Sequence, residues 1–172
     1  MSEQIKPIRE TYRFNTELVS LALDDLSQED AVRRWKDGEG SSIAYLTGHI
    51  SSSRYGILKA LGRETENPYK ELYGAGVGSK DGSAYPPLDE LAAGWRQTAE
   101  KLHAALDAVS DEDALRPSDG SFPTADQTLR GQLAFIAWHE SYHVGQIGIL
   151  RTEMGYTSLR QRLYAVRQAA GG

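Results

Sequence analysis

The chain has 172 residues, of which 40% are hydrophobic and 25% charged, and these proportions are typical of one globular domain with a sizeable core. The formal net charge of −5, without a basic block, argues against a nucleic-acid partner. Because the sequence contains no cysteine, disulfides, iron–sulfur clusters, thiolate metal sites and cysteine nucleophiles are excluded. No apolar run is long enough for a membrane span and no signal peptide is visible, so we expect a cytoplasmic protein.

Two long helices are predicted in the first half of the chain. Residues 8–26 carry apolar side chains at helical spacing, which indicates an amphipathic helix. A loop at 36–40 precedes a second helix, for which either Ser41 or Ser42 is the candidate N-cap. This second helix should end at Gly62, because glycine commonly terminates helices.

A long glycine-rich loop is predicted at residues 62–86. Its glycines are not preceded by a strand and not followed by Gly-Lys-Ser/Thr, so a phosphate-binding loop is disfavoured. The segment is better interpreted as a flexible connector. A loop of this length can also act as a lid over a site.

The second half of the chain predicts three further helices. They cover residues 86–109, about 124–154 and 157–170, and the last of them is short and weakly amphipathic. Thr124 or Asp126 is the candidate N-cap of the long helix at 124–154. Two of the three helices are therefore long enough to join the first two in a bundle.

The pattern of these elements predicts the fold class. Four long helical segments without a convincing strand pair or internal repeat are typical of an all-α four-helix bundle, here with a short extra C-terminal helix. We expect residues 1–172 to form a single domain, with the bundle core at about 8–155.

The last long helix contains His139 and His143, which are four residues apart and so lie about 40° apart around the helix axis. At 100° per residue, the side chains that fall within about 60° of His139 include Gln132, Phe135, Ile136, His143, Gln146 and Leu150. We therefore expect both histidines on the side of the helix that faces the bundle. Buried polar groups need partners, and either hydrogen bonds to the backbone and the glutamines or a metal ion would supply them.

The letters His139-Glu140-x-x-His143 match the zinc-protease motif, in which the glutamate activates a zinc-bound water. The extended metzincin form requires glycine and histidine where this chain has Gln146 and Ile149. A peptidase also needs a substrate groove, usually along a strand edge, and no strand is predicted. On the helical wheel Glu140 lies about 100° from His139, at the margin of the expected site. The protease interpretation is therefore disfavoured.

Paired Glu-x-x-His motifs of di-iron carboxylate bundles also occur, as Glu100-x-x-His103 and Glu140-x-x-His143. Glu100 falls on the face of its helix directed away from the core, and the second helix has no interior carboxylate. His103 lies at the edge of its apolar stripe and is expected on the flank or the surface. A di-iron site is therefore disfavoured as well.

A single-metal site agrees best with the helical wheels. It would consist of His49 from the second helix together with His139 and His143, and would leave positions open for water or substrate. Imidazole suits Zn, Ni, Fe and Cu, but selection also depends on geometry and metal supply, so the sequence does not identify the metal, and the candidates are Zn, Ni, Fe and Mn.

The chain resembles the DinB-like superfamily, which includes YfiT-like proteins. The resemblance depends on Tyr45-Leu46-Thr47-Gly48-His49-Ile50 in the second helix and on the H-x-x-x-H-x-G-Q pattern from His139 to Gln146 in the last bundle helix. It covers the helical pattern from about residue 8 to 155. It implies a four-helix bundle of DinB topology, a divalent metal on His49 and the histidine pair, and a homodimer. Members of this superfamily include thiol-dependent S-transferases or isomerases and proteins linked to hydrolysis.

Two functional hypotheses follow. In the first, the protein is a metal-dependent enzyme that activates water or a thiol, of the hydrolase or thiol S-transferase type, and acts on a small-molecule substrate. In the second, it is a non-catalytic metal-binding or interaction protein built as a dimeric bundle. Four residues are candidates for positions beside the open coordination sites: Tyr45, Trp138, Tyr142 and Gln146.

Overall fold

The structure is a computed structural model that describes residues 2–171 apart from positions 64, 75, 119 and 121. The described residues form nine helices and no strand, apart from one isolated bridge between Pro117 and Thr128. In chain order the helices are α1 (Lys6–Asp24), α2 (Gln28–Val32), α3 (Trp35–Gly38), α4 (Ile43–Ala60), α5 (Lys70–Tyr73), α6 (Leu88–Asp107), α7 (Asp111–Leu115), α8 (Leu129–Glu153) and α9 (Leu159–Ala170).

The long helices α1, α4, α6 and α8 form the predicted four-helix bundle, in which α1 and α4 each pack against both α6 and α8. Their inner faces bury two apolar clusters. The first includes Val19, Ile50, Trp95, Val144 and Ile147. The second includes Tyr12, Ile57, Leu102, Leu133 and Ala137. Burial of these side chains is the main favourable contribution to folding, and the fold class predicted from the sequence is confirmed.

A polar layer, formed by the buried Arg54 and Glu140 and the half-buried Thr16, separates the two apolar clusters. On each of the helices α1, α4 and α8, one of these residues lies between a member of the first cluster and a member of the second. Arg54 Nε and Nη2 donate to the two carboxylate oxygens of Glu140 at 2.7 and 2.8 Å, and Nη2 also donates to Thr16 Oγ1 at 2.8 Å. The layer ties three of the four bundle helices together.

The face of α8 that enters the core differs from the predicted one. The residues at successive spacings of four and three are buried: Leu133, Ala137, Glu140, Val144, Ile147 and Arg151. His139, His143 and Gln146 are only half-buried at the edge of this face. The helical wheel centred on His139 gave the wrong core-facing side for two reasons. First, α8 carries apolar residues on both sides. Second, the wheel placed Glu140 at the margin, whereas Arg54 on α4 neutralises the Glu140 charge in the core.

Short helices interrupt two segments that were predicted as loops. The one-turn helix α3 lies in the predicted loop 36–40, and α5 lies in the predicted loop 62–86, of which positions 64 and 75 are outside the described residues. α5 packs against α4 and buries Tyr73, a contact that the local sequence pattern does not show.

The beginning of α8 also differs from the prediction. Thr128 is its N-cap, and its side chain accepts from the backbone N–H of Gly131. The predicted cap Asp126 instead accepts from the backbone N–H and the hydroxyl of Thr128, so it closes the turn before the helix. The predicted cap of α4 is confirmed at Ser42, whose hydroxyl accepts from the N–H of Tyr45.

The C-terminal helix α9 packs along α1 and is held there by charged contacts. Arg162 pairs with Asp24 and Asp25, and Arg167 pairs with Glu17 at 2.6 Å. Among the described residues, no helix combines the length and the apolar content that crossing a membrane requires.

Candidate metal centre

The three predicted ligand residues meet between α4 and α8. Nε2 of His139 lies 3.3 Å from Nε2 of His49 and 3.1 Å from Nε2 of His143. One ligand atom from each residue lies within 4.8 Å of the other two, and all three side chains are half-buried. Although the core-facing direction was predicted wrongly, the structure brings together the three histidines that the sequence singled out.

These distances fit one shared metal ion. Nitrogen ligands at about 2.0–2.1 Å from a tetrahedral metal lie about 3.3–3.4 Å from one another. The spacings of 3.3 and 3.1 Å around His139 Nε2 are close to that value. Among the described residues no fourth His, Asp or Glu joins the group, and three protein ligands with a fourth position left open is the arrangement of catalytic rather than structural sites.

The outer nitrogen atoms fix the tautomers of two of the histidines. His49 Nδ1 lies 3.2 Å from the backbone carbonyl of Tyr73, and His143 Nδ1 lies 2.6 Å from Oε1 of Gln146. Since both partners are acceptors, each Nδ1 carries the proton and each Nε2 directs a lone pair towards the centre. A carbonyl behind the ligating imidazole is the usual way in which proteins orient a metal-binding histidine.

His139 is the most strongly perturbed of the three. Burial, followed by the proximity of His143 and His49, lowers the pKa of His139 to about 4. The pKa of His143 is also lowered by burial, although its hydrogen bond to Gln146 opposes this shift. Nδ1 of His139 is buried and has no hydrogen-bond partner among the described residues. The cluster therefore favours neutral imidazoles, which is the form that binds a metal.

Aromatic residues from α4 and from the segment after it hold His49 in place. The Tyr45 ring stacks on the His49 ring with centroids 5.8 Å apart, and the Tyr45 hydroxyl donates to the carbonyl of Val77 at 2.6 Å. The Tyr73 ring covers Gly48 so closely that a Cβ at this glycine would lie 2.5 Å from it. Part of the predicted loop 62–86 thus supports the site from behind. The sequence did not single out Tyr73, because its contribution is a backbone carbonyl.

Glu140 does not belong to the histidine cluster. Its side chain is 1% exposed and both carboxylate oxygens bind Arg54, so it points into the core. The H-E-x-x-H spacing therefore does not provide a general base beside the metal position. Glu100 is exposed, as predicted. His103 is half-buried and lies 3.2 Å from Thr16 Oγ1, which agrees with its predicted place on the flank of α6.

The side chains expected beside the centre divide into two groups. Gln146 and Tyr142 contact His143, since Gln146 accepts from its Nδ1 and the Tyr142 ring centroid lies 5.2 Å from its ring. Trp138 is exposed and stacks between Phe135 and Tyr142 on the outer face of α8. Tyr45 is tied to Val77 and acts on His49 through its ring.

Comparison with known proteins identifies the family. The family model described as the DinB superfamily matches residues 11–147. This chain belongs to the DinB superfamily. The match includes all four bundle helices in part or in full, and all three clustered histidines.

Two similar solved structures share the fold. A DinB-like protein from Bacillus cereus is 22% identical, with a TM-score of 0.67, over 90% of this chain and 95% of that one. YfiT from Bacillus subtilis, a probable metal-dependent hydrolase with an unusual four-helix bundle topology, is 16% identical, with a TM-score of 0.63, over 91% of both chains. Comparison with curated proteins gives no match.

Proposed function

We propose that this DinB-superfamily protein is a metal-dependent hydrolase whose divalent metal is held by His49, His139 and His143. The convergence of the three Nε2 atoms, with lone pairs directed inward by the Tyr73 carbonyl and by Gln146, carries the proposal. A divalent metal supplies Lewis-acid chemistry there, lowering the pKa of water or a thiol towards neutral pH.

The protein's own groups have distinct tasks in this proposal. The two outer hydrogen bonds keep His49 and His143 in the ligating tautomer, and the depressed pKa of His139 keeps its ring neutral near pH 7. Gln146 is the residue best placed to orient a substrate, because it is half-buried, uncharged and bound to His143. Hydrolysis is preferred because the structurally similar YfiT is described as a probable hydrolase.

Elemental analysis combined with an activity screen tests the proposal. After reconstitution with Zn, Ni, Fe or Mn, the wild type should retain about one metal per chain and hydrolyse one or more esters or amides in thiol-free buffer. His143→Ala should lose both properties. His103→Ala is the matched control, because His103 lies outside the cluster, and it should keep both. Retention of stoichiometric metal by His143→Ala, or its absence from the wild type, would overturn the assigned ligands.

A thiol S-transferase is the second candidate, because the same Lewis-acid chemistry activates thiols. The two reactions are separated by their requirements, since a transferase consumes the thiol and turns over only when one is added. The homodimer implied by the family resemblance stays a prediction, which light scattering of the purified protein tests.

A further inference from the structure

A cavity of about 490 Å³ lies beside the histidine cluster, between α3, the first turn of α4 and the second half of α8. This volume is within the range of cavities that bind small molecules. The side chains that dominate its wall are Trp35, Leu46, Tyr142, Gln146, Ile149 and Leu150. None of the three histidines lines the cavity, so it is separate from the candidate metal ligands.

The wall of the cavity is apolar, aromatic and uncharged. None of its described lining residues carries a charge, and its polar side-chain groups are the Gln146 amide, the hydroxyls of Ser41 and Tyr142, and the indole N–H of Trp35. Trp35, Tyr142 and Ile149 are 46%, 54% and 55% exposed, and surface side chains of this size gather at a cavity when a ligand covers them. An aromatic ring would pack against Trp35 and Tyr142. A charged group among the lining side chains would be desolvated, and the one cation that the described residues place at this wall, the Lys36 ammonium, is already engaged with the Trp35 ring.

The backbone holds Trp35 at the cavity in a strained conformation. Lys36 has a φ of 50°, which is unusual for a residue with a side chain. The Gly40 N–H donates to the Trp35 carbonyl at 2.8 Å, and a Cβ at Gly40 would lie 3.0 Å from the Trp35 Cβ. The Lys36 ammonium covers the Trp35 ring at 5.2 Å from its centroid. Backbone strain of this kind clusters at active sites, ligand-binding segments and switch regions.

Two residues connect the cavity with the candidate metal centre. Gln146 lines the cavity and accepts from Nδ1 of His143, and Tyr142 lines it and contacts the His143 ring. A molecule with one end in the cavity is therefore next to the histidine whose Nε2 points to the centre.

We propose that this cavity binds an uncharged aromatic group of the substrate and that the hydrolysed bond extends from that group towards the histidine cluster. The placement of the hydrolysed bond rests on the proposed function, whereas the binding of the aromatic group does not depend on a metal. It assigns Trp35 and Ile149 to substrate specificity, with no part in metal binding.

Two naphthalene probes of the same size test the charge and the place of binding. Calorimetry should detect 1-naphthol binding to the metal-free protein, whereas 1-naphthalenesulfonate should bind at least about tenfold more weakly. Trp35→Ala and Ile149→Ala should each weaken 1-naphthol binding, Trp35→Ala by about tenfold. Tyr164→Ala is the matched control, since Tyr164 is an aromatic residue of α9 with 57% exposure outside the cavity, and it should bind like the wild type.

The outcomes separate this inference from the proposed function. His49→Ala should still bind 1-naphthol, because the cavity does not include His49. If the loaded enzyme hydrolyses 1-naphthyl acetate, Trp35→Ala should raise KM while kcat stays within about twofold. Absence of ester and amide hydrolysis by the metal-loaded wild type, with intact 1-naphthol binding, would reject the hydrolase and keep the aromatic site. Equal 1-naphthol affinity in the wild type, Trp35→Ala and Ile149→Ala, or preference for the sulfonate, would overturn the aromatic site. Both variants replace side chains that are about half exposed, so thermal melts should show that they fold.

Discussion

Replacing Glu140 with glutamine should destabilise the fold far more than replacing an exposed carboxylate. Arg54 and Glu140 are 0% and 1% exposed, and Arg54 also lies over the Trp95 ring, 3.7 Å from its centroid. Glu140→Gln keeps the size of the side chain but leaves the arginine charge buried without a counter-charge. Removing one partner of a buried ion pair costs about 3–5 kcal/mol. We expect a loss of that size in the free energy of unfolding.

Urea unfolding followed by circular dichroism measures this loss, and thermal unfolding gives an independent value. For a chain of this size, each kcal/mol corresponds to about 2–4 °C in Tm. Glu10→Gln is the matched control, because Glu10 pairs with Arg13 at 3.1 Å on the exposed surface of α1. That substitution should cost less than about 1 kcal/mol. A loss for Glu140→Gln as small as that of the control would refute the inferred pairing and would return Glu140 to the candidates for a role at the metal.

Further predictions concern the packing, pH response and metal binding of the protein. Gly48→Ala should lower the free energy of unfolding by about 1–3 kcal/mol, because the new Cβ would clash with the Tyr73 ring. Gly56→Ala should raise it by about 0.5–1 kcal/mol, because open space surrounds that glycine. Thermal melts that rank the two variants in the opposite order would contradict this. Burial, together with the nearby Arg54 and Arg13, lowers the pKa of His103 from its usual value of 6.5. As the pH drops below about 6.5, the His103 imidazole is therefore protonated in the unfolded chain before it is protonated in the folded one, and the free energy of unfolding should fall. Urea midpoints at neutral and mildly acidic pH should show a shallower loss for His103→Gln than for the wild type, and identical slopes would exclude this contribution. A metal at about 100 times its Kd should stabilise the wild type by about 2.7 kcal/mol, and His49→Ala should gain almost nothing, as melts with and without a chelator would show.

The long helices and the histidine cluster could be predicted because their signals are local. Apolar side chains at helical spacing define α1, α4, α6 and α8. The residue types of Ser42 and Gly62 predict the two ends of α4, since serine caps helix N-termini and glycine terminates helices. The cluster was found because two histidines four residues apart share a side of one helix and a third lies in the middle of another.

The core-facing direction of α8 could not be predicted from the helix alone. The wheel centred on His139 assigned Glu140 to the margin because the two residues lie about 100° apart, and an isolated carboxylate is rarely buried. Its burial depends on Arg54, which is distant in sequence and lies on a different helix. The heptad spacing from Leu133 to Arg151 was a usable signal, but it becomes decisive only once an arginine on the inner face of α4 is recognised as the counter-charge.

The polar layer also accounts for how precisely the histidines meet. Arg54 lies five residues after His49 on α4, and Glu140 directly follows His139 on α8, so the ion pair and the histidine cluster join the same two helices. Sliding one helix by a turn, about 5.4 Å, would break both. We therefore infer that the ion pair fixes the register in which the Nε2 atoms converge. Replacing both charges with apolar residues of similar volume, as in the double variant Arg54→Met with Glu140→Leu, should restore most of the stability lost in Glu140→Gln. The same double variant should bind metal at least about tenfold more weakly than the wild type in a competitive chelator titration, because its helices lack the fixed register. Wild-type metal affinity in a stable double variant would show that apolar packing alone sets the register.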